Sequence, residues 1–319
     1  MDKLAAYLGE IEQALSQYTF GSHPKELYEP VDYILSIGGK RLRPVLTLLA
    51  AACYGNHKHA VHQALAVEVF HNFTLLHDDI MDQAPLRRGQ ATVHHKWDVN
   101  RAILSGDVML IQAYELLVKN NEQHAAQLIA VFNKMAREVC EGQQLDMNFE
   151  SHDKVSESDY LYMIERKTSV LLGCALQLGA IVSNAPASHQ EALYNFGVNL
   201  GLAFQIKDDI LDVFGDPAKV GKQVGGDILA NKKTLLLIHA LENAKENDAE
   251  ELAYWLSEKS KNQEKIKAVS ILYQKLKTDV YAAEKSEAYY KEAMRHLEKI
   301  DIDTQSLSAF ATWLMAREH

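Results

Sequence analysis

The stretch Leu75-Leu76-His77-Asp78-Asp79-Ile80-Met81-Asp82 comes back, nearly unchanged in character, as Gln205-Ile206-Lys207-Asp208-Asp209-Ile210-Leu211-Asp212 in the second half of the chain. On a helix, residues four apart share a face, so Asp78 lies one turn from Asp82 and Asp208 one turn from Asp212, with Asp79 and Asp209 flanking them. Two such helices facing each other gather six carboxylates. Carboxylates packed that densely repel unless a cation binds between them. Oxygen-only ligands favour a hard ion such as Mg²⁺, which commonly shares a few carboxylates with substrate phosphates. The repeat therefore predicts a metal-plus-phosphate site whose acidic set is Asp78, Asp79, Asp82, Asp208, Asp209 and Asp212.

The 319 residues are 47% hydrophobic and 24% charged, the balance of a soluble globular protein long enough for one large core or two domains. One domain spanning 1–319 is expected, because the two acidic motifs need each other. A formal net charge of -10 argues against a general nucleic-acid binder. Cys53, Cys140 and Cys174 stand apart in apolar helical surroundings, which reads as three buried free thiols in a reducing cytoplasm. Met1-Asp2-Lys3-Leu4 carries an acid where a signal peptide has a basic flank, and the longest apolar run, Ser169 to Val182, is interrupted by Gln177. Neither secretion nor a membrane span is expected.

With only six prolines and sixteen glycines, and apolar residues recurring every three or four positions, the chain reads as all-α. Leu4, Leu8, Ile11 and Leu15 form a first amphipathic stripe, broken between Phe20 and Pro24 before a short helix ending near Ile37. Gly38-Gly39-Lys40-Arg41-Leu42-Arg43-Pro44 then sets flexible glycines before three cations and a first-turn proline, a loop that offers N–H groups and positive charge to an anion. A third helix runs to about Tyr54. A fourth, from about Val61 through Asp82, ends in the first acidic motif; three aspartates at a helix C-terminus are unfavourable without a cation. The helical wheel puts Glu68, His71 and Leu75 on the aspartate face. Gln83 to Lys96 reads as a loop whose Arg87-Arg88-Gly89 either neutralises the acidic end or clamps phosphate. Helices follow over about Val99–Lys119 and Gln123–Phe149, the second carrying Gly142-Gln143-Gln144-Leu145-Asp146 as capping or solvated residues. After a polar loop at Ser151 to Ser158, one helix bears Lys167-Thr168 and the next, from about Ser188, bears Phe204-Gln205 and the second motif. Phe214 to Lys233 is the longest loop, with Gly215, Gly221, Gly225, Gly226, Lys219, Lys222, Asp227, Lys232 and Lys233, and reads as a lid or binding segment. Thr234 to His319 reads as shorter scaffold helices.

Taken in order, the Gly38 to Pro44 loop, the two Asp-Asp-x-x-Asp motifs, Arg87-Arg88-Gly89, Gly142-Gln143, Lys167-Thr168, Phe204-Gln205 and Gly226-Asp227 to Thr234 resemble the all-trans polyprenyl (isoprenyl) diphosphate synthases. The resemblance covers about residues 30 to 240; Ala230-Asn231 depart from the family's usual Glu-Gly, and the chain ends without a basic tail. It implies an isoprenoid-synthase-like helical barrel around a deep central cavity. It also implies Mg²⁺, three ions with substrate bound, and the head-to-tail condensation of isopentenyl diphosphate with an allylic diphosphate (dimethylallyl, geranyl or farnesyl) in a cytoplasmic homodimer.

Residue by residue, the resemblance implies that Asp78, Asp82 and Asp208 ligate Mg²⁺, with Asp79, Asp209 and Asp212 in support. Arg87, Lys167, Lys222 and Lys232 would hold the allylic diphosphate, and Lys40, Arg43, His71 and Arg88 the isopentenyl diphosphate. Thr168 and Gln205 would lie near the reacting carbons. Phe73, five residues before Asp78, resembles the floor of geranylgeranyl diphosphate synthases, with Phe70 one turn deeper; a bulky residue at Thr74 would instead suit a fifteen-carbon product. A farnesyl diphosphate synthase is the alternative. A class I terpene cyclase leaves the second motif and the cation loop without a task, and a non-catalytic subunit typically loses one motif.

Overall fold

Apolar periodicity of the helical kind is carried through: 79% of the computed structural model is helical, with almost no strand. The structure describes residues 2–216, 224–259 and 262–316. Its chain gathers into two compact units, one from residues 1–135, 171–194 and 300–307, the other from 136–170, 195–299 and 308–319.

In the first unit, α1 (Asp2–Gln17) buries Tyr7, Ile11 and Leu15 along one stripe, while Leu4 and Leu8 stay half-exposed. Helices α2 (Lys25–Ser36) and α3 (Leu42–Ala52) follow, then a 3₁₀ turn, His57–Ala60, leading into α4 (Val61–Met81). Every residue of α4 from Gln63 to Phe70 is buried, as befits a helix surrounded by neighbours rather than laid on a surface. A buried amide must be bonded, and Gln63 Nε2 donates to the Leu117 carbonyl at 2.8 Å. That carbonyl belongs to α6 (Val99–Val118), which packs along α4 and starts where Asp98 accepts the Arg101 N–H at 2.9 Å.

The stretch read as a loop between Gln83 and Lys96 is more ordered than that. Leu86–Arg87 (β1) pairs antiparallel with Gln90–Ala91 (β2), and the helical turn α5 (Val93–Lys96) follows. Arg88 (φ 51°) and Gly89 (φ 76°) both take positive φ, as a two-residue type I′ hairpin demands, and an arginine is an unusual choice for the first of these places.

Helices α7 (Ala125–Ser151), α9 (Val170–Val182) and α10 (Ala187–Phe214) contribute residues to both units. In the second unit α8 (Glu157–Ile164) opens with a capping box between Ser156 and Asp159 and runs into a π-helical turn, Glu165–Ser169. Lys167 and Thr168 lie on this turn, not on a regular helix. Two glycines seat it: a Cβ on Gly142 of α7 would stand 2.3 Å from the Lys167 backbone nitrogen, and one on Gly201 of α10 2.7 Å from Ser169 Cα. Beyond α10 come α11 (Gly226–Leu229), α12 (Leu235–Asn243), α13 (Asn247–Ser257), α14 (Asn262–Lys275), α15 (Thr278–Leu297) and α16 (Gln305–Ala316). Helix α12 buries Leu235, Leu236, Leu237 and Ile238 and packs on α15, whose Ser286 hydroxyl donates to the Ala203 carbonyl at 2.8 Å. The long segment after Phe214 contains the turn α11; Lys219, Gly221 and Lys222 lie outside the described residues.

One cysteine reading is corrected. Cys174 is buried and Cys53 half-buried, but Cys140 is exposed on α7, because its position falls on the outer side of that helix. Among the described residues no helix is long and apolar enough to cross a membrane.

The tight seat of the π turn has a measurable consequence. Gly142→Ala and Gly201→Ala should each lose about 1–3 kcal/mol of stability through overpacking against backbone. Gly9→Ala on α1, where a Cβ meets nothing within 4 Å, should gain roughly 0.5–1 kcal/mol from helix propensity. Urea denaturation of the three variants checks the opposite signs; a Gly201→Ala midpoint equal to wild type would show that the turn has room.

Candidate active site

The first acidic motif closes α4. Asp78 and Asp79 occupy its last turn and Asp82 caps it, the Asp82 N–H donating to the Asp78 carbonyl at 2.9 Å. The three carboxylates are not equivalent: Asp79 is 2% exposed, Asp78 half-buried and Asp82 exposed. The β1–β2 hairpin brings Arg87 back over the helix end, where its Nε lies 2.9 Å from both Asp79 oxygens and its Nη2 2.7 Å from Oδ1. Asp78 Oδ2 is 3.8 Å from the same guanidinium. Burial raises the Asp79 pKa and Arg87 opposes it, with a net rise. Arg87 is thus paired with the acidic end, whereas Arg88 points elsewhere.

Arg88 lies against the glycine loop. A Cβ on Gly39 (φ 151°) would stand 2.6 Å from Arg88 Nη1, so the absence of a side chain there lets the two segments meet. The loop's three cations divide. Arg41, with φ 46°, turns inward, is 4% exposed, and bonds Glu68 at 2.5 Å, Glu12 at 2.8 Å and the Leu35 carbonyl at 2.7 Å. Glu68 also accepts from Asn72 at 2.9 Å. The expectation of three anion-facing cations therefore drops to two, because Arg41 is spent on a buried pair. Arg43 Nη1 lies 3.1 Å from His71 Nε2. A guanidinium can only donate, so this imidazole nitrogen accepts and the ring is neutral with its proton on Nδ1. Burial lowers the His71 pKa well below its usual value, and Arg43, Arg88, Arg87 and Arg41 lower it further. Burial also brings Arg43 down to about 10, against the pull of Glu68. Lys40 is exposed beside them. Several cations are thus held next to a neutral histidine, which leaves their charge uncancelled by that ring.

The second motif lies in the last two turns of α10. Asp208 is half-buried, Asp209 5% exposed and Asp212 6% exposed. Asp209 is held from two sides: the Tyr160 hydroxyl donates to Oδ2 at 2.6 Å and Gln205 Nε2 to Oδ1 at 2.9 Å. Burial raises its pKa to about 7, Lys232 and the two hydrogen bonds opposing and Asp227 adding to the rise. Asp212 accepts the Asp227 N–H at 2.9 Å, and its carbonyl accepts from Gly225 at 2.6 Å, tying the returning chain to the motif. Thr168 Oγ1 donates to Gln205 Oε1 at 3.3 Å. Lys167 pairs with Asp146 at 2.5 Å, so Asp146, read as a solvated residue, partners a candidate site residue one turn from Gly142.

Tyr160 has no part in the sequence motifs, and the pairings of Asp146 with Lys167 and of Arg41 with Glu68 are not visible in them. Tyr160 stands seven residues before Lys167, about two helical turns, which was the available signal. Among the described residues no three acidic, histidine or cysteine side chains form a ready ligand cage.

Upstream of Asp78, Phe73 is half-exposed, its ring centroid 4.8 Å from His77 and 5.6 Å from Phe70. Phe70 is 1% exposed and meets Phe132 edge-on at 5.1 Å. The Thr74 hydroxyl is turned back to the His71 carbonyl at 2.8 Å. Phe73 thus presents open surface and Phe70 backs it as core.

A neutral His71 makes folding stability depend on pH. In the unfolded chain the ring titrates near 6.5, whereas in the fold it stays neutral to lower pH. The unfolded state binds the extra proton first, so stability should fall as pH drops through 6.5 towards the folded pKa. His71→Gln should flatten the urea midpoint between about pH 7 and 5. The same slope in both proteins would mean that His71 is not buried neutral.

The sequence profile of the polyprenyl synthetase family matches residues 24–272. The chain is 39% identical to the geranylgeranyl pyrophosphate synthase of Geoglobus acetivorans over 316 residues, covering 97% of this chain and 95% of that protein. It is 37% identical to the geranylfarnesyl diphosphate synthase of Natronomonas pharaonis over 250 residues, 72% of this chain and 73% of the other. A crystal structure of a geranylgeranyl pyrophosphate synthase superposes with a TM-score of 0.91 at 47% identity, covering 100% of this chain and 99% of that one. With the profile and these relatives agreeing, and the family's motifs in place along α3, α4, α7 and α10, the chain belongs to the polyprenyl synthetase family of trans-prenyltransferases.

Proposed function

We propose that this chain condenses isopentenyl diphosphate with an allylic diphosphate in the presence of Mg²⁺, adding units until it reaches twenty carbons. One observation carries the site: in both motifs the middle aspartate is buried and hydrogen-bonded within the protein, whereas the aspartate before it is half-exposed. The donor set fits a hard cation, since it is all carboxylate oxygen. Asp78, Asp82 and Asp208 would hold Mg²⁺, three ions with substrate bound, supported by Asp79, Asp209 and Asp212. Bound there, Mg²⁺ supplies charge stabilisation to the departing diphosphate.

Around it, Lys232 holds the allylic diphosphate together with Arg87 and Lys167, which reach it from their ion pairs with Asp79 and Asp146; Lys222, the remaining member of that set, lies outside the described residues. Lys40, Arg43, His71 and Arg88 hold isopentenyl diphosphate, where the neutral imidazole accepts from Arg43 and leaves the cations to face the phosphates. Two well-formed cation sets suit two diphosphates. The allylic C–O bond breaks with its electron pair leaving on diphosphate. Thr168 and the Gln205 carbonyl oxygen lie near the resulting cation and stabilise it by their dipoles. The alkene of isopentenyl diphosphate supplies the pair for the new C–C bond, and the departed pyrophosphate takes the proton that is lost.

Phe73 sets the product length, because it alone of the Phe70–Phe73–Thr74 group presents an open aromatic face. The twenty-carbon reading is supported by the two similar proteins named geranylgeranyl pyrophosphate synthase, and the fifteen-carbon alternative is less favoured with a threonine at 74. We further propose that 1–319 acts as one domain, since the family profile runs through both compact units. A homodimer is supported by Ile103, Leu104 and Ile111, exposed on α6. A reducing cytoplasm is supported by three free cysteines.

Asp78→Ala and Asp208→Ala should each lower turnover about a hundredfold or more while circular dichroism stays at wild type. Full activity in both would end the assignment. Phe73→Ala should lengthen the product beyond that of wild type, read by chromatography with each allylic primer; an unchanged product would place the floor elsewhere.

A further inference from the structure

We propose that Tyr160 is a positioning residue for the second acidic motif: its hydroxyl fixes the Asp209 carboxylate and, through it, the Gln205 amide, so that Asp208 and Asp212 are presented to the allylic diphosphate and its Mg²⁺. The inference rests on the function proposed above and deepens it at one residue.

The ring of Tyr160 is 1% exposed, and its hydroxyl donates to Asp209 Oδ2 at 2.6 Å. On the other side Gln205 Nε2 donates to Asp209 Oδ1 at 2.9 Å. That bond leaves Gln205 Oε1 for Thr168, which donates to it at 3.3 Å. Three hydrogen bonds thus run Thr168 to Gln205 to Asp209 and back from Tyr160, joining the π turn, α10 and α8. Tyr160 stands on a firm element: the capping box at Ser156 closes the start of α8, and Lys285 holds Glu157 at 2.7 Å, with the Tyr281 hydroxyl on the same carboxylate. A buried oxygen on Asp209 that lost its donor would turn towards another, taking Gln205 with it and changing the surroundings of Asp208, one residue away. A purely packing tyrosine would do none of this, because its ring alone would matter.

Tyr160→Phe keeps the ring and removes the hydroxyl. In the full-length chain it should leave the unliganded melting temperature close to wild type. It should cut the thermal shift produced by Mg²⁺ with inorganic pyrophosphate to less than half. The KM for the allylic substrate and the half-saturating Mg²⁺ should rise about fivefold or more, while the KM for isopentenyl diphosphate stays put. Asp209→Asn disturbs the same hydrogen bond from the other side and should give the same split, and adding Tyr160→Phe to it should cost little more. Equal changes in both KM values, an undiminished pyrophosphate shift, or fully additive losses in the double variant would each overturn the positioning role. A wild-type chain that shows no shift with Mg²⁺ and pyrophosphate would instead defeat the functional reading beneath it.

Discussion

One carboxylate of each acidic motif is taken out of water, and much of the local structure answers that cost. Asp79 and Asp209 sit in the last turns of long helices, where the peptide dipoles already disfavour negative charge, and both are almost fully buried. The two solutions differ. At Asp79 a guanidinium delivered by a hairpin supplies two bonds and a compensating charge. At Asp209 a phenol and an amide supply neutral donors, and the carboxyl is left raised to about 7. The first motif is therefore balanced by fixed charge, whereas the second depends on Lys232 and on hydrogen bonds arranged by α8 and the π turn.

The π turn follows from the same constraint. An extra residue in the turn shifts the phase of the helix between Tyr160 and Thr168, and Ser169 Oγ bonds the Ile164 carbonyl five residues back at 3.3 Å. Both Tyr160 and Thr168 then reach α10, one at Asp209 and the other at Gln205. The helices approach closely enough for this only because Gly142 and Gly201 carry no side chain. Such turns are often found where a helix must present side chains that regular geometry would scatter. In the other unit the buried Arg41–Glu68 pair does comparable work, fixing the loop from which Arg43 reaches His71; removing Arg41 would leave Glu68 an uncompensated charge in the core.

The helices themselves were legible from apolar spacing, and their ends fell within a few residues of expectation because glycine, proline and polar caps mark them. The acidic motifs are legible because the same carboxylate spacing occurs twice in the chain. The hairpin within Gln83–Lys96 has no local signature, because Arg88-Gly89 is not a usual hairpin dipeptide. Cys140 is exposed because α7 is amphipathic and turns that position away from its buried stripe of Leu128, Phe132, Met135 and Val139.

By itself the sequence determined the class of fold, the family, and the chemical types brought to the site, since periodicity, residue type and motif order are local properties of the chain. Only tertiary structure decided which charges are spent on one another. Arg41 went to Glu68, Arg87 to Asp79 and Lys167 to Asp146, while Asp78 and Asp208 stayed half-exposed. Those assignments depend on desolvation and on distances between residues far apart in the chain, and no local pattern carries either quantity.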